Sequence, residues 1–325
     1  MQCAIAPFIS KSIALSNSFK LFTFRQFSKA IAYGTAIISS RIPAGIYSDI
    51  NKWEQLTVKL VTQQGKTANI LGLAGQQQMD AECVSAAWEA GINYFFFYNL
   101  EFENFLDGLK TLLTTKREQV LVVTGSENRD RSKLRDYLDA CRHRLNVDRV
   151  DVFFIEYVSP SDDIIQVQAL LDELWSWKQK GLVRYVGVTT HNRPIALKLI
   201  ERVQCEVLMH RYNMAHRKAE EDVLPSAQKA SIPVVAFTCT RWGSLLKGHP
   251  NWQEKPPTAA DCYRYVLRHP AVHLALTAPK NKQQLEANLS VLHSPPLSPQ
   301  QAAHWQEYGD LIYGNGQDAF DTQWV

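Results

Sequence analysis

The chain has 325 residues, 46% of them hydrophobic and 21% charged, with a net charge of +3. Lys and Arg are interspersed with Asp and Glu rather than gathered into tracts, which argues against nucleic acid as a partner. The absence of any run of 18 apolar residues argues against a membrane span, and six scattered cysteines without a C-x-x-C pair argue against a metal site and for a reducing compartment.

Residues 1–48 stand apart. They carry Lys11, Lys20, Arg25, Lys29 and Arg41, many serines and no acid before Asp49, a composition that fits either an organelle transit peptide or a poorly structured extension. A cytoplasmic location is the primary expectation and organelle targeting by residues 1–48 the alternative. Residues 49–325 are expected to form one domain. Within it, residues 49–67, with Trp53, Leu56, Val58 and Leu60, suit a strand or hairpin closing the floor of a barrel.

From residue 68 onward, short apolar runs alternate with longer amphipathic stretches. The runs are 70–74, 93–98, 120–124, 151–156, 186–189, 206–209, 234–238 and 272–277. Between them, "DAECVSAAWEAG" places Ala81, Val84 and Trp88 on one helical face before a Gly91 stop, and "SKLRDYLDACRHRLNV" aligns Leu134, Leu138, Cys141 and Leu145. "DCYRYVLRHP" has Cys262, Tyr265 and Val266 at helical spacing. Apolar strands separated by helices read as parallel βαβ units, and eight of them close a (β/α)8 TIM barrel. An open doubly wound sheet would present G-x-G-x-x-G after its first strand; "LGLAGQQQ" does not.

In such a barrel the chemistry sits at the carboxyl ends of the strands. Those ends offer Gln76; Tyr98, Asn99 and Glu101; Gly125 to Glu127; Glu156 and Tyr157; Thr189, Thr190 and His191; His210 to Asn213; Phe237, Thr238, Arg241 and Trp242; and Thr277, Lys280 and Lys282.

Six segments, "GINYFFFYN", "CRHRLNVDRVDVFFIEY", "KGLVRYVGVTTHN", "EVLMHRYNMAHRKAEEDVLP", "PVVAFTCTRWGSLL" and "TAPKNKQQLEANL", carry a resemblance to the aldo-keto reductases over residues 68 to 300. The resemblance implies NADP(H)-dependent reduction of a small-molecule carbonyl. It places the family's catalytic Asp on Phe96, its Tyr on Glu101 or Phe102, its Lys on Gly125 and its His on Glu156, so all four positions depart from the family pattern. It implies cofactor contacts by Thr189, Thr190, Phe237 and Thr238, with Phe237 stacked on nicotinamide, and by Lys280, Asn281, Gln284 and Asn288 around the adenosine phosphate. Met209 replaces a hydrogen-bonding Gln.

The residues themselves leave alternatives open. Phe95, Phe96 and Phe97 read first as core. Tyr98 shares a strand face with Phe96 and Tyr94 and suits either a substitute acid or an aromatic wall. Glu156, at the end of "DVFFIE", is expected to have its pKa raised by desolvation and to donate a hydrogen bond as a neutral acid; the alternative is a salt bridge to Arg211 or another basic residue. His191 and His210 are candidate acids or bases near neutral pH. Arg211 and Arg241 suit an anionic group or a salt bridge across the barrel top, and Trp242, with Phe96 and Glu101, a substrate pocket. Two functions remain: an NAD(P)H-dependent oxidoreductase acting on a carbonyl or enone through a rebuilt site of Glu156, Tyr98 and His191, or a non-catalytic barrel binding a ligand or protein partner.

Overall fold

A computed structural model describes residues 60–316; the expected extension over residues 1–48, and Trp53, Leu56 and Val58, lie outside them. Eight parallel strands form a closed barrel in chain order: β1 (Leu71–Ala74), β2 (Tyr94–Phe97), β3 (Leu121–Ser126), β4 (Val150–Ile155), β5 (Val183–Thr190), β6 (Val207–Arg211), β7 (Val234–Phe237) and β8 (Val272–Thr277). Each is followed by a helix: α1 (Cys83–Glu89), α2 (Glu103–Lys116), α3 (Arg131–Leu145), α4 (Ile164–Gln179), α5 (Arg193–Glu201), α6 (Val223–Lys229), α7 (Ala259–Leu267) and α8 (Lys282–Leu289). A further helix, α9 (Pro299–Tyr313), follows. No helix among the described residues is long and apolar enough to cross a membrane.

Two apolar sets build the fold, because strand side chains alternate between the barrel lumen and the helical sheath. Phe95 and Phe97 point outward and pack with Phe105 of α2, while Tyr94 and Phe96 point inward. The α3 stripe of Leu134, Leu138, Cys141 and Leu145 is buried as its spacing predicts. Inside the barrel, Tyr94, Phe96, Val123, Phe154, Met209, Val235 and Phe237 form a separate cluster. The lumen admits such large rings because small residues face them: a Cβ on Gly72 would lie 2.8 Å from Tyr94 Cδ1, and one on Gly187 would collide with the Phe154 ring.

The floor matches the expected hairpin in its described part. Val61 bridges Thr67 antiparallel, and Leu60, fully buried, joins the lumen cluster. Asp151 pins this end: buried in β4, it accepts bonds from Arg117 Nη1 (2.8 Å), Arg184 Nη1 (2.8 Å) and the Val122 N–H (2.8 Å). Arg184 in turn donates to the Val61 carbonyl (2.9 Å), which ties the hairpin to the barrel. At the opposite end, α9 crosses the loop after β6, where a Cβ on Gly309 would collide with the Met214 carbonyl.

Candidate active site

The lumen-facing ends of β2, β3 and β4 meet at the mouth. There Phe96, Gly125 and Glu156 come together, since β2 registers Phe96 with Val123 and β3 registers Gly125 with Phe154. Gly125 contributes no side chain, and the Glu156 carboxyl folds into the space it leaves: a Cβ on Gly125 would lie 2.7 Å from Glu156 Cγ and 2.8 Å from Phe154 Cβ. Glu156 is 2% exposed. Its Oε1 has no hydrogen-bond partner among the described residues.

Desolvation pushes the Glu156 pKa up to about 8, with the charge of Glu127 adding to the rise and Arg129 opposing it. A carboxyl in this state is protonated at neutral pH and can donate a hydrogen bond. The direction of the shift is the one expected of an acid ending an apolar strand, and the cation that opposes it is Arg129. Four phenols feel its charge, Tyr137 of α3 the least directly; the other three lie on β2 or just beyond β2 and β4. Tyr94, Tyr98 and Tyr157 all have raised pKa values, from burial first and from Glu156 second, so all three hold their protons at neutral pH.

Beside this acid a groove of about 600 Å³ runs across the barrel mouth. Its walls include Phe96, Tyr98 and Tyr157 from β2 and the loops after β2 and β4, Phe237, Thr238 and Trp242 from β7 and its loop, and Lys280, Gln284 and Asn288 from the segment after β8. Phe237 is only 7% exposed: His191 packs against it at 4.9 Å between ring centroids and Tyr157 at 6.1 Å. The Thr238 hydroxyl is buried without a hydrogen-bond partner among the described residues, as is that of Thr189. In the segment after β8 the Asn288 amide donates to Thr277 Oγ1 (2.9 Å), which Tyr263 also bonds (2.9 Å). Asn281 caps α8 by accepting from the Gln284 N–H (2.9 Å), and the Lys280 N–H donates to Gln284 Oε1 (2.9 Å).

Several expected site residues lie elsewhere or act otherwise. His191 is not an acid or base near neutrality, because burial, with Arg211 and two neighbouring histidines, lowers its pKa to about 3; its ring stacks on Tyr157 at 5.5 Å as a neutral wall. His210 faces outward, 2.7 Å from the Thr190 carbonyl, with its pKa lowered to about 4 mainly by burial. The Thr190 hydroxyl donates to the Val158 carbonyl (2.6 Å) and so serves the backbone. Glu101 is exposed on the turn before α2, away from the groove. Arg211 lines a separate cavity between the loops after β5 and β6. Arg241 is buried, and its guanidinium bonds the Ile312 carbonyl of α9.

Sequence reasoning assigned no role to Tyr157. Its ring reaches the groove because its backbone takes φ of 53° immediately after the acid. Thr238, Arg241 and Trp242 also have φ near 50°, a conformation that costs non-glycine residues energy and clusters at functional sites. In the "CTRWG" loop this leaves Trp242 54% exposed on the groove wall.

Residues 72–258, more than half of the chain, match the Aldo/keto reductase family. The chain belongs to that family, as its closed eight-stranded barrel leads one to expect. It is 25% identical over 122 residues to methylglyoxal reductase DkgB of Escherichia coli O157:H7, a match spanning 37% of this chain and 45% of that protein. An aldo-keto reductase from Bacillus halodurans in its holo form superposes with a TM-score of 0.65 at 18% identity, covering 80% of this chain and 99% of that one. An aldo/keto reductase from Klebsiella pneumoniae in complex with NADP and acetate gives 0.63 at 17% identity, over 77% and 94%. At these identities the two structures speak for the fold.

Proposed function

We propose that this chain is an NADP(H)-dependent reductase of a small carbonyl or enone, working through a rebuilt acid centre. The observation that carries the reading is the buried Glu156 carboxyl, packed over Gly125 with Oε1 unbonded among the described residues, next to a groove of about 600 Å³. Family membership and the NADP bound by the Klebsiella pneumoniae structure support it.

The residues present fit such a cofactor. Phe237 offers an aromatic face, Thr238 and Thr189 offer buried hydroxyls without partners among the described residues, and Lys280 adds positive charge beside the amino end of α8, where charge and free N–H groups suit a phosphate. A reduced nicotinamide supplies hydride. Glu156, kept neutral by burial, polarises the acceptor by hydrogen bonding or through the phenols beside it. Tyr98, half-exposed on the groove wall, is the group placed to release a proton to the acceptor oxygen, a role His191 cannot fill at neutral pH.

The alternative, a non-catalytic barrel that binds another ligand, is favoured by one observation: His191 and Tyr157 already cover most of Phe237. Turnover separates the two. NADPH oxidation followed by absorbance, with methylglyoxal and a panel of enones as acceptors, is expected to proceed in the wild type. In Glu156→Gln it should fall by about 10²-fold in kcat. Wild-type turnover in Glu156→Gln would remove Glu156 from the mechanism, and absence of turnover with every acceptor would favour the binding role.

A further inference from the structure

The carboxyl of Glu156 owes its position to its main chain, and both backbone groups of that residue are held by the strand end beside it. The Glu156 N–H donates to the Ser126 carbonyl (3.0 Å), and the Glu156 carbonyl accepts from Arg129 Nη2 (2.9 Å). The same guanidinium donates through Nη1 to the Glu127 carbonyl (2.9 Å). One side chain thus ties the loop after β3 to the loop after β4 at the acid itself.

Arg129 is held in turn. Its Nε and Nη2 make a two-pronged pair with Asp162 (2.8 and 3.1 Å), the geometry in which a guanidinium is most strongly oriented. Asp162 also accepts from the Ser159 N–H (2.8 Å), which fixes the far side of the β4 loop, and the Arg129 carbonyl accepts from Gln166 of α4 (3.0 Å). Tyr157, between Glu156 and this loop, sits at φ of 53°; a residue in that region persists only where its surroundings over-determine it.

We propose that Arg129, clamped by Asp162, is a positioning residue for Glu156 and Tyr157: it sets where the buried carboxyl lies and holds a guanidinium beside it. The inference rests on the role given to Glu156 above. The groups bearing on Glu156 are Tyr94 and Tyr98 from the β2 end, Glu127 and Arg129 from the β3 loop, Tyr137 from α3, and Tyr157 beside it. Among the described residues, Arg129 is the cation that acts on Glu156.

The test reads the carboxyl directly. Infrared difference spectra of the whole protein across pH, with Glu156→Gln to assign the protonated carbonyl band, give its titration midpoint independently of turnover. Arg129→Gln is expected to raise that midpoint by about one pH unit, the low end for removal of a nearby opposite charge, and to lower kcat by about tenfold with little change in KM. Arg129→Lys keeps the charge but, with three donors on one nitrogen, cannot reproduce the four-bond fork that grips Asp162 two-pronged while bonding both carbonyls. Its midpoint is expected to stay near that of the wild type while kcat still falls about tenfold.

An unchanged midpoint in folded Arg129→Gln, or wild-type kcat in Arg129→Lys, would overturn the proposal. If Arg129→Gln does not fold by circular dichroism, Arg129→Lys decides. Arg135→Gln, which removes a guanidinium from the outer face of α3 where it pairs with Asp139, should move neither reading. A shifted midpoint without turnover in any variant would leave the clamp standing and remove the proposed reductase role instead.

Discussion

Replacing Glu156 by Gln removes a carboxyl whose pKa the fold raises from an ordinary 4.5 to about 8, chiefly by desolvation. A raised pKa means that the folded state binds the proton more tightly than the unfolded state, so the stability linked to this group is complete below pH 4.5. It is lost as pH climbs, at about 1.4 kcal/mol per pH unit, until the group ionises in the folded state near pH 8. The full interval corresponds to about 5 kcal/mol, and the part between pH 6 and 8 to about 3 kcal/mol. His191 and His210 act with the opposite sign. Their pKa values are lowered from 6.5 to about 3 and about 4, so the stability they contribute is present above pH 6.5 and lost toward acid. They are common to both proteins and cancel in the difference. Urea denaturation of wild type and Glu156→Gln at half-unit steps from pH 6 to 9 is therefore expected to show the wild type losing about 3 kcal/mol relative to the variant by pH 8, then running parallel to it. Parallel curves across the whole range would refute a buried, protonated Glu156.

Further outcomes follow from close packing and buried charge. Gly125→Ala places a methyl where the Glu156 carboxyl lies; it is expected to cost about 1–3 kcal/mol by overpacking and to reduce turnover more than NADPH affinity. Asp151→Asn leaves Arg117 and Arg184 without their shared carboxylate and is expected to cost about 3 kcal/mol, read by urea denaturation, because one side of a buried pair is stranded. Gly309→Ala drives a methyl into the Met214 carbonyl; limited proteolysis should then cut at α9 well before the barrel.

The barrel was legible because parallel strands covered on both faces leave continuous apolar runs, and all eight runs became strands. Their ends were less legible: β5 begins at Val183 and β6 continues to Arg211, since polar residues such as Arg184, Tyr185 and Arg211 extend the ladder without extending the apolar run. At the site, the apolar approach to Glu156 carried the correct expectation of a raised pKa. The histidines misled for the complementary reason: a ring's ionisation depends on burial and nearby guanidiniums, and nothing in "TTHN" announces that His191 is packed between Tyr157 and Phe237. Arg241 and Arg211 illustrate the same gap, as charge in a sequence does not say which cavity it faces. Tyr157 is placed at the strand end by the sequence but given no role, because period-two alternation puts the residue after Glu156 outside the lumen, and a left-handed backbone turn brings it to the groove.

The most direct test of the central claim is a titration of the full-length protein with NADPH, followed by fluorescence, alongside Phe237→Ala and Lys280→Ala. Saturable micromolar binding that both substitutions weaken, by loss of the Phe237 aromatic face and of the Lys280 positive charge on the groove lining, is the expected result. No saturation at millimolar NADPH, or binding indifferent to both substitutions, would contradict the assignment of this groove to a nicotinamide cofactor and with it the reductase reading.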